Sequence, residues 1–191
     1  DSISLGEGER NFSLLLEDYL KGEVKQIYSF DRLQELNFPS PYGLGLFDRM
    51  IKENPTYNWN AVLETNRGCP FKCTFCDWGS ATFTKLRKFG EDKLYREIDW
   101  FTENKISYIF CCDANFGIFA DRDKNIAKKV KENKLTKKYP QTFFVNWAKN
   151  SSDKIIPVAK ELQEADLLSG ITLSVQSLDE NTLNIIKRAN I

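Results

Sequence analysis

The sequence contains no histidine. That removes imidazole acid–base catalysis, Ser-His-Asp triads and histidine metal ligands. Methionine occurs once, at Met50. The chain therefore opens without an initiator, and it stops at Ile191 inside a helix-like run, so the expectation is a piece of something longer. No apolar run reaches the roughly 18 residues of a membrane span, and no secretory pattern opens the chain. Charge of one sign is also lacking: 27 Lys+Arg face 27 Asp+Glu. Dominant attraction to nucleic acid or acidic membrane is not indicated. What is present is core material. Hydrophobic residues make 41% of the 191 positions and aromatics 13%, enough for a packed domain, or one domain plus part of another.

Five cysteines remain, Cys69, Cys73, Cys76, Cys111 and Cys112. An odd number with three crowded together makes a poor disulfide framework. The same crowding suits a metal or cluster site in a reducing cytoplasm.

Along the chain, Leu5-Gly6-Glu7-Gly8-Glu9 reads as a Gly-rich turn. Phe12, Leu15, Leu16, Tyr19 and Leu20 recur at helical spacing, with Gly22 as a stop. Residues 37–46 carry two Pro and two Gly, which is linker chemistry. The domain reading is 1–36, then a linker at 37–60, then 61–191. Strands are expected at 61–66, 106–112, 141–146 and 171–175. Helices are expected at 91–104, 123–138, 152–168 and 180–188. The run 106–112 is apolar enough for a strand buried on both faces. Such alternation indicates a parallel α/β layout. Four units do not close an eightfold barrel. A partial barrel fits better, with a doubly wound sheet still open.

The chemistry concentrates in Arg67-Gly68-Cys69-Pro70-Phe71-Lys72-Cys73-Thr74-Phe75-Cys76-Asp77-Trp78-Gly79, a Cys-x3-Cys-x2-Cys loop. Soft thiolates select zinc, copper(I) or iron–sulfur. A closed structural zinc site takes four protein ligands, and this loop offers three, with Cys111 35 residues beyond Cys76. A [4Fe–4S] cluster on three cysteines keeps one iron free for a small chelating molecule.

This loop, with aromatic Phe75 before its last cysteine and βα units behind it, resembles the signature of the radical S-adenosylmethionine superfamily over roughly residues 61–191. The resemblance implies that Cys69, Cys73 and Cys76 ligate a [4Fe–4S] cluster. It implies that S-adenosylmethionine chelates the open iron and is cleaved reductively to a 5′-deoxyadenosyl radical. The implied fold is a partial (β/α)6 TIM-like barrel, here truncated after about four βα units. The implied cofactor contacts are Phe75, Asp113 and Asn115 after the second strand, Asn146 after the third, Ser174 and Gln176 after the fourth, and Arg188. Asp113 and Asn115 would accept from the cofactor ammonium, and Arg188 would grip a carboxylate. Partners would be a small-molecule substrate and a flavodoxin- or ferredoxin-like electron donor.

The Leu-Gly-Glu-Gly-Glu opening and Pro-Ser-Pro linker resemble the cobalamin-dependent branch, in which a cobalamin-binding domain precedes the radical core. Cobalamin is then a cofactor of the parent protein, held outside this chain, and methyl transfer the favoured chemistry. Methylthiolation of RNA and a non-catalytic metal-binding module stay open as alternatives. Cys111 and Cys112 read as small apolar residues rather than ligands of a second cluster. The seven lysines from Lys124 to Lys138 read as a solvated helix face rather than an RNA-binding patch.

Overall fold

The computed structural model describes residues 1–31, 33–76, 85–148, 152–172 and 174–188. Asp77-Trp78-Gly79, at the end of the cysteine motif, and Leu173 lie outside the described residues. The chain divides into two compact units, Asp1–Phe38 and Pro39–Ile191.

In the first unit, β1 (Ile3–Leu5) and β2 (Ile27–Ser29) pair in parallel, Ile3 opposite Ile27, and α1 (Gly8–Lys21) connects them. The two short strands carry no legible alternation, and the sequence showed only the helix. Gly22 ends α1 in the left-handed region (φ 75°), where a glycine pays no Cβ penalty. Buried Asn11 stitches the unit, its Nδ2 donating to the Leu5 carbonyl at 2.6 Å and the Tyr28 carbonyl at 3.4 Å.

The second unit is built on a parallel sheet of β3 (Asn60–Leu63), β6 (Tyr108–Phe116) and β7 (Thr142–Trp147), in the order β3-β6-β7. The crossovers carry α3 (Glu91–Glu103) and α4 (Ala120–Lys137), and α5 (Ser152–Gln163) follows β7. Leu94, Ile98 and Phe101 form the buried stripe of α3 that their spacing demands. Helix α3 packs on α4, which buries Ile126, Ala127 and Val130, and α4 packs in turn on α5, which buries Val158 and Leu162. Helix α2 (Asp48–Glu53) lies inside the segment read as linker. Tyr42, just before α2, packs edge-on against Phe101 at 4.6 Å between ring centroids.

Several elements depart from the sequence reading. The strand placed at 61–66 breaks at Glu64 and Thr65 and resumes as a two-residue β4 (Asn66–Arg67). The cause is visible: the Thr65 and Asn66 N–H groups leave the ladder to bind the Asp113 carboxylate. Strand β6 runs to Phe116 and alternates buried and half-buried residues, so it is not buried on both faces. Helix α5 stops at Gln163, and helix α6 spans only Glu180–Ile185. No strand appears among the described residues of 171–177. Ile171 and Val175 are exposed there, so no burial rewards a ladder, and the Ser174 carbonyl is held instead by the Arg188 guanidinium. Among the described residues the observed fold is therefore α/β, built on a three-stranded parallel sheet that does not close into a barrel.

Candidate functional site

The cysteine loop leaves from the C-terminal end of β3, the end at which parallel α/β proteins gather active groups. Its base is clamped. Strand β4 pairs antiparallel with β5 (Arg87–Lys88), Asn66 opposite Lys88 and Arg67 opposite Arg87. The Phe89 N–H adds a bond to the Thr65 carbonyl at 3.0 Å. Gly68, at φ 112°, turns the chain sharply between this clamp and Cys69. Within the loop the Cys76 N–H donates to the Cys73 carbonyl at 3.2 Å, which folds the second and third cysteines into one turn.

Beneath the loop lies a buried polar knot. Asp113 Oδ1 accepts from the Thr65 N–H at 2.7 Å and the Asn66 N–H at 3.1 Å. Its Oδ2 accepts from the Asn66 amide at 2.7 Å and from the Thr65 hydroxyl. Arg122 spans from the Thr65 carbonyl (2.6 Å) and hydroxyl (3.1 Å) to the Phe89 carbonyl (3.2 Å) and Asp123 (3.2 Å). Asp123 in turn accepts from the Gly117 and Phe119 N–H groups at 2.8 and 3.1 Å. Burial pushes the Asp113 carboxyl up to about 6, against the pull of its donors, and raises Asp123 as well.

The register of β6 against β7 slips between Cys111 and Phe116. Irregularities of this kind re-aim side chains at the ends of strands, and the slip spans Asp113 and Asn115. A cavity of about 390 Å³ opens there, lined by Cys69, Cys76, Asn115, Asn146, Trp147 and Ser174 among others. Two nitrogens reach the sulfurs. Asn115 Nδ2 donates to Cys69 Sγ at 3.3 Å, and Arg188 Nη1 to Cys73 Sγ at 3.9 Å. Arg188 Nη2 also holds the Ser174 carbonyl at 2.9 Å. Both side chains are buried, Asn115 to 1% exposure and Arg188 to 6%. Each keeps one polar atom without a partner, Asn115 Oδ1 and Arg188 Nε.

Five of the residues singled out from the sequence thus share one cavity: Cys69, Cys76, Asn115, Asn146 and Ser174. Cys73 joins through Arg188. Phe75 is 53% exposed, Gln176 is exposed, and neither lines the cavity. Asp113 is a correction. It is buried under the loop with both oxygens already engaged, so it holds the loop rather than offering an acceptor to a ligand. Sequence reasoning missed Thr65, Asn66, Arg122 and Asp123. The signal for Thr65 and Asn66 is a polar run, Glu64-Thr65-Asn66-Arg67, interrupting an apolar strand.

Cys111 and Cys112 are neighbours on a strand and differ in burial. Burial raises the Cys111 thiol well above its usual value, and burial, with Glu64 and Asp113 nearby, raises Cys112 to about 11. Neutral thiols of this kind are packing residues. Among the described residues no three His, Cys, Asp or Glu side chains converge as ligands of a single ion. The site nevertheless fits a sulfur-ligated cluster: three thiols on one clamped loop, two nitrogens directed at them, and unsatisfied buried polar atoms in the adjoining wall.

Several lysines of α4 face carboxylates on neighbouring elements. Lys131 pairs with Glu161 at 3.0 Å and with Glu164, Lys129 with Asp99 at 2.7 Å, and Lys137 with Glu103 at 3.6 Å. No helix of the described residues is long and apolar enough to cross a membrane.

Comparison with known proteins converges on the same loop. The family model of the radical SAM superfamily matches residues 63–191. The 2-(S-pantetheinyl)-carbapenam-3-carboxylate methyltransferase of Streptantibioticus cattleyicolor is 44% identical over 160 residues, 83% of this chain and 23% of that protein. The cobalamin-dependent radical SAM methyltransferase TokK of Streptomyces tokunonensis is 45% identical over 158 residues, 82% of this chain and 23% of that protein. An uncharacterized methyltransferase of Synechocystis is 26% identical over 197 residues, 98% of this chain and 34% of that protein. The chain spans about a quarter of the length of the first two relatives.

Proposed function

Because the chain belongs to the radical SAM superfamily, we propose that Cys69, Cys73 and Cys76 hold a [4Fe–4S] cluster and leave one iron to S-adenosylmethionine. The observation that carries this reading is the cavity in which two of the three cysteines meet Asn115, Asn146 and Ser174 at the C-terminal end of a parallel sheet. When bound, the cluster supplies one electron for reductive cleavage of the sulfonium, giving methionine and a 5′-deoxyadenosyl radical.

The chain's own residues bind and orient. The Asn115 Oδ1, buried and without a partner, would accept from an ammonium. An unmet buried acceptor costs about 1–3 kcal/mol, so a ligand that satisfies it gains that much. Ser174 and Asn146 line the same wall and supply the polar contacts that fix a nucleoside. Gln176 and Phe75, exposed, would contact the cofactor from the rim. Arg188 fixes Ser174. Residues 61–191 then form the first part of a partial (β/α)6 barrel, 37–60 a connector, and 1–36 the tail of an upstream cobalamin-binding-like domain. The first two relatives, both named as methyltransferases and one of them as cobalamin-dependent, support methyl transfer to a small-molecule substrate by the parent protein. Its electron comes from a flavodoxin- or ferredoxin-like donor in a reducing cytoplasm.

The test is anaerobic reconstitution of the full-length protein. About four irons per chain and reductant-dependent release of 5′-deoxyadenosine from S-adenosylmethionine are expected. One zinc per chain and no nucleoside would overturn the reading in favour of a structural metal module.

A further inference from the structure

Two of the three loop sulfurs receive a side-chain N–H, and both donors come from outside the loop. Asn115 sits at the end of β6, 46 residues beyond Cys69, and reaches its Sγ at 3.3 Å. Arg188 lies 115 residues beyond Cys73 and reaches its Sγ at 3.9 Å. Neither donor is a mobile surface group, because both side chains are at least nine-tenths buried. Arg188 is further fixed by the Ser174 carbonyl. A cysteine sulfur bound to iron can only accept, so the amide of Asn115 must present its nitrogen to Cys69, which leaves Oδ1 as the orphan the structure shows.

Hydrogen bonds to cysteine sulfur are one of the levers by which a protein sets the potential of an iron–sulfur cluster. Reduction adds negative charge to the cluster. A directed N–H stabilises that charge more than it stabilises the oxidised state, and in a buried wall the effect is weakly screened. We propose that Asn115 and Arg188 are tuning residues whose N–H groups, directed at Cys69 and Cys73, raise the reduction potential of the cluster and so make its loading by the electron donor easier. The proposal rests on the reading that these cysteines hold the cluster, and it assigns Asn115 a role at its nitrogen that is separate from any ligand contact at its oxygen.

The experiment is an EPR-monitored redox titration of the reconstituted full-length protein, without S-adenosylmethionine, beside an iron count. Asn115→Leu keeps the shape and removes both polar atoms. It should hold four irons and show a reduced-to-oxidised ratio about tenfold lower at a fixed solution potential, about 59 mV for one electron. Four irons with an unshifted or higher potential overturn the inference. A wild-type protein that binds no cluster overturns the proposed function instead. If Asn115→Leu assembles no cluster, Asn115→Asp at pH 8 decides the matter. It replaces the donor by a charged acceptor, so a lower potential is expected and an unchanged or raised one refutes the role. Arg188→Lys keeps the charge but loses the fork; it should shift in the same direction, and no shift removes Arg188 from the proposal.

Discussion

At the scale of single residues, the three cysteines and Asp113 do different work, and substitution separates them. Cys73→Ala removes one of three proposed cluster ligands. It should lose the stable four-iron species, read as iron and sulfide per chain after anaerobic reconstitution; full retained iron would contradict the ligand assignment. Asp113 acts through the backbone. Its two oxygens satisfy the Thr65 and Asn66 N–H groups, the Asn66 amide and the Thr65 hydroxyl. Its folded-state pKa is raised from 3.8 to about 6, chiefly by burial. The folded protein therefore holds this proton more tightly than the unfolded chain does. The stability it contributes is full below about pH 4 and is lost as pH rises through about 6. Over that window the loss is on the order of 2–3 kcal/mol. Asp113→Asn cannot titrate, so the difference in unfolding free energy between variant and wild type should change by that amount between pH 4 and 6. A difference that stays flat across the window would show that Asp113 does not carry the shift.

At the scale of elements, the open edge of the sheet at β3 is closed by a side chain. The Tyr42 hydroxyl donates to the Val62 carbonyl at 2.7 Å and accepts from the Val62 N–H at 3.2 Å, as a neighbouring strand would. Its ring rests on Trp100 and Phe101. Tyr42→Phe should cost about 1 kcal/mol, the net worth of the hydroxyl's bonds, and Tyr42→Ala about 3–4 kcal/mol with the ring gone. Denaturant midpoints of the two variants check this: a Tyr42→Phe variant as stable as the wild type would mean the hydroxyl contributes nothing, and equal losses in the two would mean the ring adds nothing to it. The same element shows how far the sequence could be read. Helix α3 was legible because Leu94, Ile98 and Phe101 encode a local period. The loop was legible because its cysteines are adjacent in the chain. The docking of Tyr42 was not, since Pro39 and Pro41 announce a linker and the contact to Val62 spans 20 residues. The knot of Thr65, Asp113 and Arg122 was hidden for the same reason, its bonds spanning 48 and 57 residues. The fourth strand was over-read. Ile171 and Val175 alternate as a strand should, yet alternation yields a ladder only where one face is covered, and both residues are exposed.

At the scale of the whole second unit, the cysteine loop is tied to a segment more than 100 residues away. The Thr74 N–H donates to the Ile186 carbonyl at 3.1 Å, and Arg188 joins Cys73 to the Ser174 carbonyl. Between these ties the segment offers little burial of its own. Val175 and Ile185 are exposed, and Leu178 is 90% exposed. Regions with few buried apolar contacts open locally at low free energy. Loading the proposed cluster fixes the three cysteines relative to one another, and the ties pass that constraint to residues 171–188. Anaerobic hydrogen exchange on the full-length protein, compared with and without iron, should therefore show those amides protected by roughly tenfold on loading, about 1.4 kcal/mol of added local stability. Amides in the middle of α3, far from the loop in bonding, should not change. If protection instead spreads evenly over α3 and 171–188, loading acts by global stabilisation. If 171–188 exchanges at the same rate in both states, the hydrogen bonds through Thr74 and Arg188 transmit nothing.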